Sequence, residues 1–253
     1  MKVEVGTFNI RNITDRYPER MPHLGRAFAA LSTDIVGLQE VTTSDGGPGK
    51  PRQDDFLSGQ LPERHYKSLL SPHATRPNWN NAIMCAIGEI HVHEQLRLST
   101  GRSAHRILVF YEGRTIWFAN THLHHVPAEP AVRAEQALSI VEWMAAAPAA
   151  DATLVVGDFN APPFESAYQV MLDGGYRSAF VEANGAEPSV TWPSGIQAPT
   201  MDTDGDPNCL DYIWCSGSVS VVSARLSANE HVKGDPTLYP SDHFAIVATV
   251  ELR

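Results

Sequence analysis

The chain has 253 residues, 43% of them hydrophobic and 19% charged, a balance that excludes a disordered polypeptide. It carries 19 Lys and Arg against 29 Asp and Glu, a formal net charge of −10, which argues against a broad basic surface for gripping duplex nucleic acid. A chain of this length buries a large core without disulfide or metal staples. Met1 to Gly6 holds no apolar run of signal-peptide length, and no stretch approaches the roughly 18 apolar residues of a membrane span. Cys85, Cys209 and Cys215 form no C-x-x-C pair. An extended Cys209–Cys215 segment separates its ends by about 20 Å, beyond the ~7 Å limit of a disulfide. A reduced, cytoplasmic, monomeric protein is expected.

Lys2 to Ile10 alternates as a strand, with Val3, Val5 and Thr7 on one face. Tyr17 to Leu31 reads as a helix with Met21, Leu24, Phe28 and Leu31 at helical spacing, and Ser32-Thr33-Asp34 breaks it. Ile35 to Leu38 is a buried strand, and Thr42 to Pro51 a Gly-rich loop. Ala82 to Ala86 is a strand, and Ile107 to Tyr111 turns through Glu112-Gly113 into Thr115 to Thr121 as a hairpin. Pro130 to Met144 is the clearest helix, with Val132, Leu138, Val141 and Trp143 among its apolar positions. Thr153 to Val156 is another buried strand, and Phe164 to Leu172 a helix stopped by Gly174-Gly175. Asn184 to Asn208 is a long, proline-punctuated segment with a short strand near Val190-Thr191, of the kind that lines sites. Leu210 to Trp214, Val219 to Leu226 and Phe244 to Leu252 close the chain as strands. No linker divides two cores, so one α/β domain over 1–253 with largely antiparallel sheets is expected.

Polar residues recur where these strands end. Asn9 ends the first, Glu40 the second, His122 a middle one, and Asp158 with Asn160 the next. Asp211 stands in an apolar run, where a carboxylate needs a partner, and Asp242-His243 opens the last strand. Side chains at one rim of a sheet converge in space though far apart in sequence. Carboxylates, amides and imidazoles in this mixture suit a Mg²⁺ or Mn²⁺ site for phosphoryl chemistry, because hard cations favour oxygen. Taken singly, the same residues have plainer readings. Asn9 is a turn or cap residue, Gly-Asp-Phe-Asn a tight turn with Asx bonds, and Ser-Asp-His polar strand edging.

Six short motifs appear in order: Thr7-Phe8-Asn9-Ile10-Arg11, Gly37-Leu38-Gln39-Glu40-Val41, Asn120-Thr121-His122-Leu123, Gly157-Asp158-Phe159-Asn160, Leu210-Asp211-Tyr212-Ile213 and Ser241-Asp242-His243. Together they resemble the endonuclease/exonuclease/phosphatase superfamily, the deoxyribonuclease I-like hydrolases, over nearly the whole chain. The resemblance implies a four-layer α/β sandwich of two packed, mostly antiparallel sheets flanked by helices. It implies Glu40 as principal metal ligand, with Asn9 beside it at metal and phosphate and Asp242 a second carboxylate near the metal. Asp158 and Asn160 match the pair that orients the attacking water and the phosphate. His243 matches the catalytic histidine, Asp211 the carboxylate that holds its ring, and His122 a group that contacts phosphate or aids the leaving group. Members of the superfamily differ on the general base and on one or two metals, and both points stay open.

The expected function is therefore Mg²⁺- or Mn²⁺-dependent phosphoester hydrolysis. A small phosphorylated substrate is preferred to duplex DNA, because acids exceed bases and no Lys/Arg run marks a groove. The rivals are a nuclease on DNA or RNA, an inactive binding protein on the same fold, and a zinc hydrolase using His122, His124 and His125 or His91-x-His93. Asp202-x-Asp204-x-Asp206 imitates a calcium loop, but Ile213 stands where its bidentate Glu belongs, so a solvated turn is expected. Arg97, Arg102 and Arg106 divide evenly between a phosphate contact and an exposed face. Trp192 and Met201 divide between substrate contact and core, with Trp192 offered as an apolar surface for an organic group.

Overall fold

The structure is a computed structural model and describes residues 1–43, 52–71, 79–201 and 205–252. The elements begin with β1 (Lys2–Asn9), α1 (Tyr17–Leu31), β2 (Ile35–Val41), α2 (Gln53–Ser58), β3 (Lys67–Ser71) and β4 (Asn80–Cys85). Next come β5 (Glu89–Arg97), β6 (Ser103–Tyr111), β7 (Arg114–His122), α3 (Pro130–Ala145), β8 (Ala152–Asp158) and α4 (Ser166–Asp173). The chain closes with β9 (Arg177–Ser178), α5 (Ala179–Asn184), β10 (Asp211–Gly217), β11 (Val219–Ser227) and β12 (Ala245–Leu252). Two six-stranded sheets result, in the orders β11-β12-β1-β2-β4-β3 and β5-β6-β7-β8-β10-β9. Each holds one parallel pair, β1 with β2 and β7 with β8, among antiparallel neighbours.

Side-chain alternation along the strands creates the layers. In β1, Val3 and Val5 join Ile107, Phe118, Val156 and Ile213 in the core between the sheets. Phe8 and Ile10 take the opposite face and pack with Leu24, Phe28 and Leu31 of α1, the helical stripe the sequence displays. On the far side, Trp117, Val155 and Trp214 pack against Ala137, Ile140 and Met144 of α3 and Ala167 and Met171 of α4. Helix, sheet, sheet and helix thus form a four-layer α/β sandwich, as expected.

The inward face of α3 does not follow the apolar positions named from the sequence. Its buried residues are Arg133, Gln136, Ala137, Ile140 and Met144, while Leu138 is 47% exposed. Arg133 donates to the carbonyls of Val126 and Pro127, and Gln136 to that of Ser99, so hydrogen bonding rather than hydropathy sets which face turns inward. The fourth helix starts at Ser166 rather than Phe164, which stays outside it. Strands β3 and β5 carry no buried apolar run because both are sheet edges, and β5 sends His91, His93 and Gln95 to solvent. The short strand expected near Val190-Thr191 is a single bridge between Trp192 and Asn208. The Gly-rich loop expected over Thr42 to Pro51 lies outside the described residues from position 44 on. All three cysteines are buried and free.

One glycine fixes the geometry that follows. Gly157 has φ 151°, and a Cβ there would lie 2.2 Å from the Thr121 carbonyl oxygen. Only a residue without a side chain lets β7 and β8 approach in this register. Gly157→Ala is expected to destabilise the fold by about 3 kcal/mol, read as a lower urea midpoint at unchanged m-value. An unchanged midpoint would contradict that reading of the contact.

Candidate active site

Strand register assembles the site. Parallel pairing of β7 and β8 sets His122 opposite Asp158, and antiparallel pairing of β8 and β10 sets Asp158 opposite Asp211. In the other sheet, Asn9 at the end of β1 pairs with Gln39, the residue before Glu40. The pairing of β2 with β4 slips between Leu38 and Val41, and Glu40 within this bulge has φ 58°. Such a bulge re-aims a side chain, and here it accompanies a buried carboxylate at the site. The segment before β12 supplies Asp242 and His243. Glu40, His122, Asp158, Asp242 and His243 line one cleft of about 650 Å³, and Asn9 and Asp211 stand directly behind it, each bonded to a lining residue.

His243 is the hub. Its Nδ1 lies 2.9 Å from Asp211 Oδ2, and its Nε2 lies 3.6 Å from Asp158 Oδ2. Burial alone would lower the His243 pKa, but the charges of Asp211, Asp158 and Asp242 override it and raise it to about 10. Asp158 Oδ2 also accepts from Asn9 Nδ2 at 2.9 Å and lies 3.4 Å from His122 Nε2. Its Oδ1 accepts the Asn160 backbone N–H at 2.9 Å. Burial pushes the Asp158 pKa up to about 7, with His243 opposing and Asp211 adding to the shift. Asn160 (φ 49°) donates its amide to the Leu123 carbonyl and faces the cleft.

A second group of carboxylates lies beside this one. Glu40 accepts from Asn9 Nδ2 at 3.4 Å and from Asn12 Nδ2 at 3.0 Å. Burial raises its pKa, Arg11 opposes the shift, and Asp242 adds to it. Asp242 Oδ2 is buried and has no hydrogen-bond partner among the described residues. It lies 3.4 Å from Arg11 Nε, and a carboxylate oxygen without a hydrogen bond beside a second buried carboxylate is a donor set that fits a hard divalent cation. Asn9 is placed differently from a direct ligand. Its Oδ1 accepts the Arg11 backbone N–H at 3.0 Å, so the amide nitrogen, not the oxygen, faces the carboxylates. Asp158, Asp211 and His243 also bring ligand atoms within 4.8 Å of one another. There the imidazole already bonds Asp211, and a nitrogen donor suits Mg²⁺ poorly, so this trio fits a hard cation less well than Glu40 with Asp242.

The remaining candidates scatter. His124 binds Glu129 at 2.7 Å, His125 binds Arg102 at 3.0 Å, and His93 meets His105 at 3.3 Å, so these histidines do not converge. Arg106 is neither exposed nor at the cleft: it pairs with Glu94 and lies between the Trp117 and Trp143 rings. Arg102 does line the cleft. Asp202 and Asp204 of the calcium-like run lie outside the described residues, while Asp206 lines the cleft. Trp192 lines the cleft but is only 8% exposed, whereas Phe164, unmarked in the sequence, lines it at 81% exposure. Arg11 and Asn12 were also unmarked as site residues; Arg11 ends the first motif and Asn12 follows it directly, and that was the available signal.

The His243–Asp211 contact makes a titration prediction. A histidine pKa raised above its ordinary 6.5 stabilises the fold fully below that pH and loses this contribution as pH climbs through about 10. In metal-free Asp211→Asn protein, His243 is expected to titrate at least about one unit lower by NMR. Wild-type stability should then fall more steeply than the variant's between those two pH values. An unmoved His243 titration would contradict the contact.

This geometry agrees with comparisons to known proteins. The endonuclease/exonuclease/phosphatase family profile matches residues 6–243. An endonuclease/exonuclease/phosphatase from Bacteroides vulgatus superimposes with TM-score 0.78 at 21% identity, covering 100% of both chains. The human nocturnin catalytic domain, solved with a bound sulfate anion, gives TM-score 0.77 at 20% identity, covering 100% of this chain and 95% of that one. TDP2 from D. rerio, complexed with a single-strand DNA product, gives 0.76 at 17% identity, covering 99% of each. A comparison with curated protein sequences returned no match. With the profile running from the first strand to His243 and the same sandwich beneath it, this chain belongs to the endonuclease/exonuclease/phosphatase family.

Proposed function

We propose that this protein is a single-domain, divalent-metal-dependent phosphoester hydrolase acting on a small phosphorylated substrate. Members of its family are phosphoester hydrolases. The observation that carries the finer reading is the buried Asp211–His243–Asp158 chain opening into the same cleft as Glu40 and Asp242. A Mg²⁺ or Mn²⁺ ion held by Glu40 and Asp242 would neutralise charge on a phosphate oxygen.

The protein's own groups supply the rest. Asp158, with a pKa raised to about 7, orients a water and accepts its proton as the new O–P bond forms and the P–O bond to the departing oxygen breaks. Asn160 borders that position and limits how the water and the phosphate sit. His243, kept charged by Asp211, donates through Nε2 to a phosphoryl oxygen. His122 lines the cleft within 3.4 Å of Asp158 and serves the phosphate or the departing oxygen. Asn9 holds Glu40 and Asp158 in register by donating to both.

The substrate class follows from size and surface. A cleft of about 650 Å³ is in the range that encloses small molecules, and the net charge of −10 disfavours duplex DNA. Phe164 replaces Trp192 as the apolar surface offered to an organic group, since it is the ring that stands open to the cleft. The same open ring is what favours the second reading, a nuclease taking a single strand by stacking, as the D. rerio relative holds a single-strand product.

Hydrolysis should vanish with a chelator and return with Mg²⁺ or Mn²⁺. Glu40→Gln should lower kcat/KM by about 100-fold or more across a metal titration. A panel of nucleotides, sugar phosphates and lipid headgroups, run beside plasmid nicking and single-strand cleavage with the Glu40→Gln control, separates the readings. Nicking without turnover of any small ester would reverse the substrate assignment, and near-normal activity of Glu40→Gln would remove the metal assignment.

The pH profile should be bell-shaped. Asp158 must be ionised to take a proton, so turnover falls as pH drops below about 7. His243 must be charged, so turnover falls as pH rises through about 10. His243→Ala should cost orders of magnitude in kcat and Asp211→Asn less, with the alkaline limb moving down in the second variant. A profile flat across both limbs would contradict these roles.

A further inference from the structure

Arg11 belongs to the first motif, and its side chain, whose charge opposes the Glu40 shift, stands outside the metal-holding and proton-moving groups proposed above. Its backbone is left-handed, with φ 53°, and its N–H is held by Asn9 Oδ1 at 3.0 Å. The fully buried Arg20 donates to the carbonyls of Ile10 and Asn12 at 2.9 and 2.8 Å, and also to that of Arg11. That cluster pins the loop from below. The Arg11 side chain is 12% exposed, and its Nε lies 2.6 Å from Asp15 Oδ2. Asp15 is in turn held by the hydroxyls of Thr14 and Thr200. The guanidinium is therefore fixed in place with its charge toward the cleft, which it lines beside Glu40, Asp158 and His243.

A guanidinium has five N–H donors. Among the described residues, the hydrogen bond that Arg11 makes from this group runs through Nε. The four donors on its Nη atoms remain. Arg11 is paired with carboxylates through Nε, bonding Asp15 Oδ2 at 2.6 Å and standing 3.4 Å from Asp242 Oδ2 in an ion pair without a hydrogen bond, while Glu40 takes its hydrogen bonds from Asn9 and Asn12. The Asp15 tether keeps the Nη pair off both acids. A largely buried, preorganised cation with paired donors to spare is built for a tetrahedral oxyanion, which accepts two parallel N–H bonds.

We propose that Arg11 is a phosphate-binding residue of this cleft, its Nη groups taking the non-bridging oxygens of the substrate phosphoryl group. This rests on the reading of the cleft as a phosphoester hydrolase site and adds a cation to it. Those oxygens carry the charge of the transition state, so a fixed guanidinium stabilises it more than the free substrate. Lysine keeps the charge but loses the paired geometry.

The test is calorimetric titration of inorganic phosphate into Mg²⁺-loaded wild type, Arg11→Ala and Arg11→Lys. Mg²⁺ titrations and near-UV circular dichroism on the same preparations control for metal loading and folding. Wild type should bind phosphate at millimolar concentration or below, Arg11→Ala about tenfold or more weakly, and Arg11→Lys in between, with Mg²⁺ binding retained. In turnover, Arg11→Ala should lower kcat more than it raises KM. A folded Arg11→Ala that binds phosphate as tightly as wild type overturns the proposal. If Arg11→Ala does not fold, undiminished phosphate affinity in Arg11→Lys overturns it instead. Arg11-dependent phosphate binding without hydrolysis of any ester would leave this inference standing and remove the hydrolase reading. Hydrolysis with Arg11-independent phosphate binding would do the reverse.

Discussion

Two carboxylates and an imidazole can be buried side by side only if they share charge, and Asp158, His243 and Asp211 satisfy that constraint around one ring. Neither acid is exposed to water, so each depends on the imidazolium between them, and the imidazolium depends on both. Removing one partner leaves an uncompensated buried charge, which costs about 3–5 kcal/mol in comparable settings. Asp158 and Asp211 come from β8 and β10 of one sheet, and His243 from the entry to β12 of the other. The charge network therefore ties the two halves of the sandwich together at the edge where the cleft opens.

The surrounding chain is arranged to keep that edge rigid. Thr191 Oγ1 accepts the N–H groups of Leu210 and Asp211, and the Thr191 carbonyl accepts that of Phe244. Ser194 bonds the carbonyls of Asp242 and Ser241 through its N–H and hydroxyl. The proline-rich segment before β10 thus braces the two strand ends that carry Asp211 and His243, besides bordering the cleft. Arg133 plays the same part opposite, joining the carbonyls of Val126 and Pro127 to the carboxylate of Glu165. Positive φ at Arg11, Glu40 and Asn160 shows backbone strain collected at the site, which such bracing sustains.

Much of this was legible in the sequence. Strands rich in buried apolar residues, such as β1 and β12, and the Leu24-Phe28-Leu31 stripe of α1 follow from burial alone, so the apolar pattern finds them. The polar residues at strand ends stood out because apolar runs precede them. What periodicity missed is physical too. Edge strands β3 and β5 bury little, and α3 turns Arg133 and Gln136 inward because their hydrogen bonds, not their hydropathy, decide the face. The direction of the Asn9 amide depends on the Arg11 N–H, a contact that no spacing reveals. Phe164 looked like the start of a helix, and only its place outside α4 shows it as an open ring at the cleft.

In the proposed function, Glu40 and Asp242 hold the cation while Asp158, His243 and Asp211 handle protons. Anomalous diffraction from crystals soaked in Mn²⁺ separates the two groups. A manganese peak is expected within coordination distance, about 2.0–2.3 Å, of carboxylate oxygens of Glu40 and Asp242, with His243 still bonded to Asp211. A peak instead enclosed by Asp158, Asp211 and the His243 ring would contradict it.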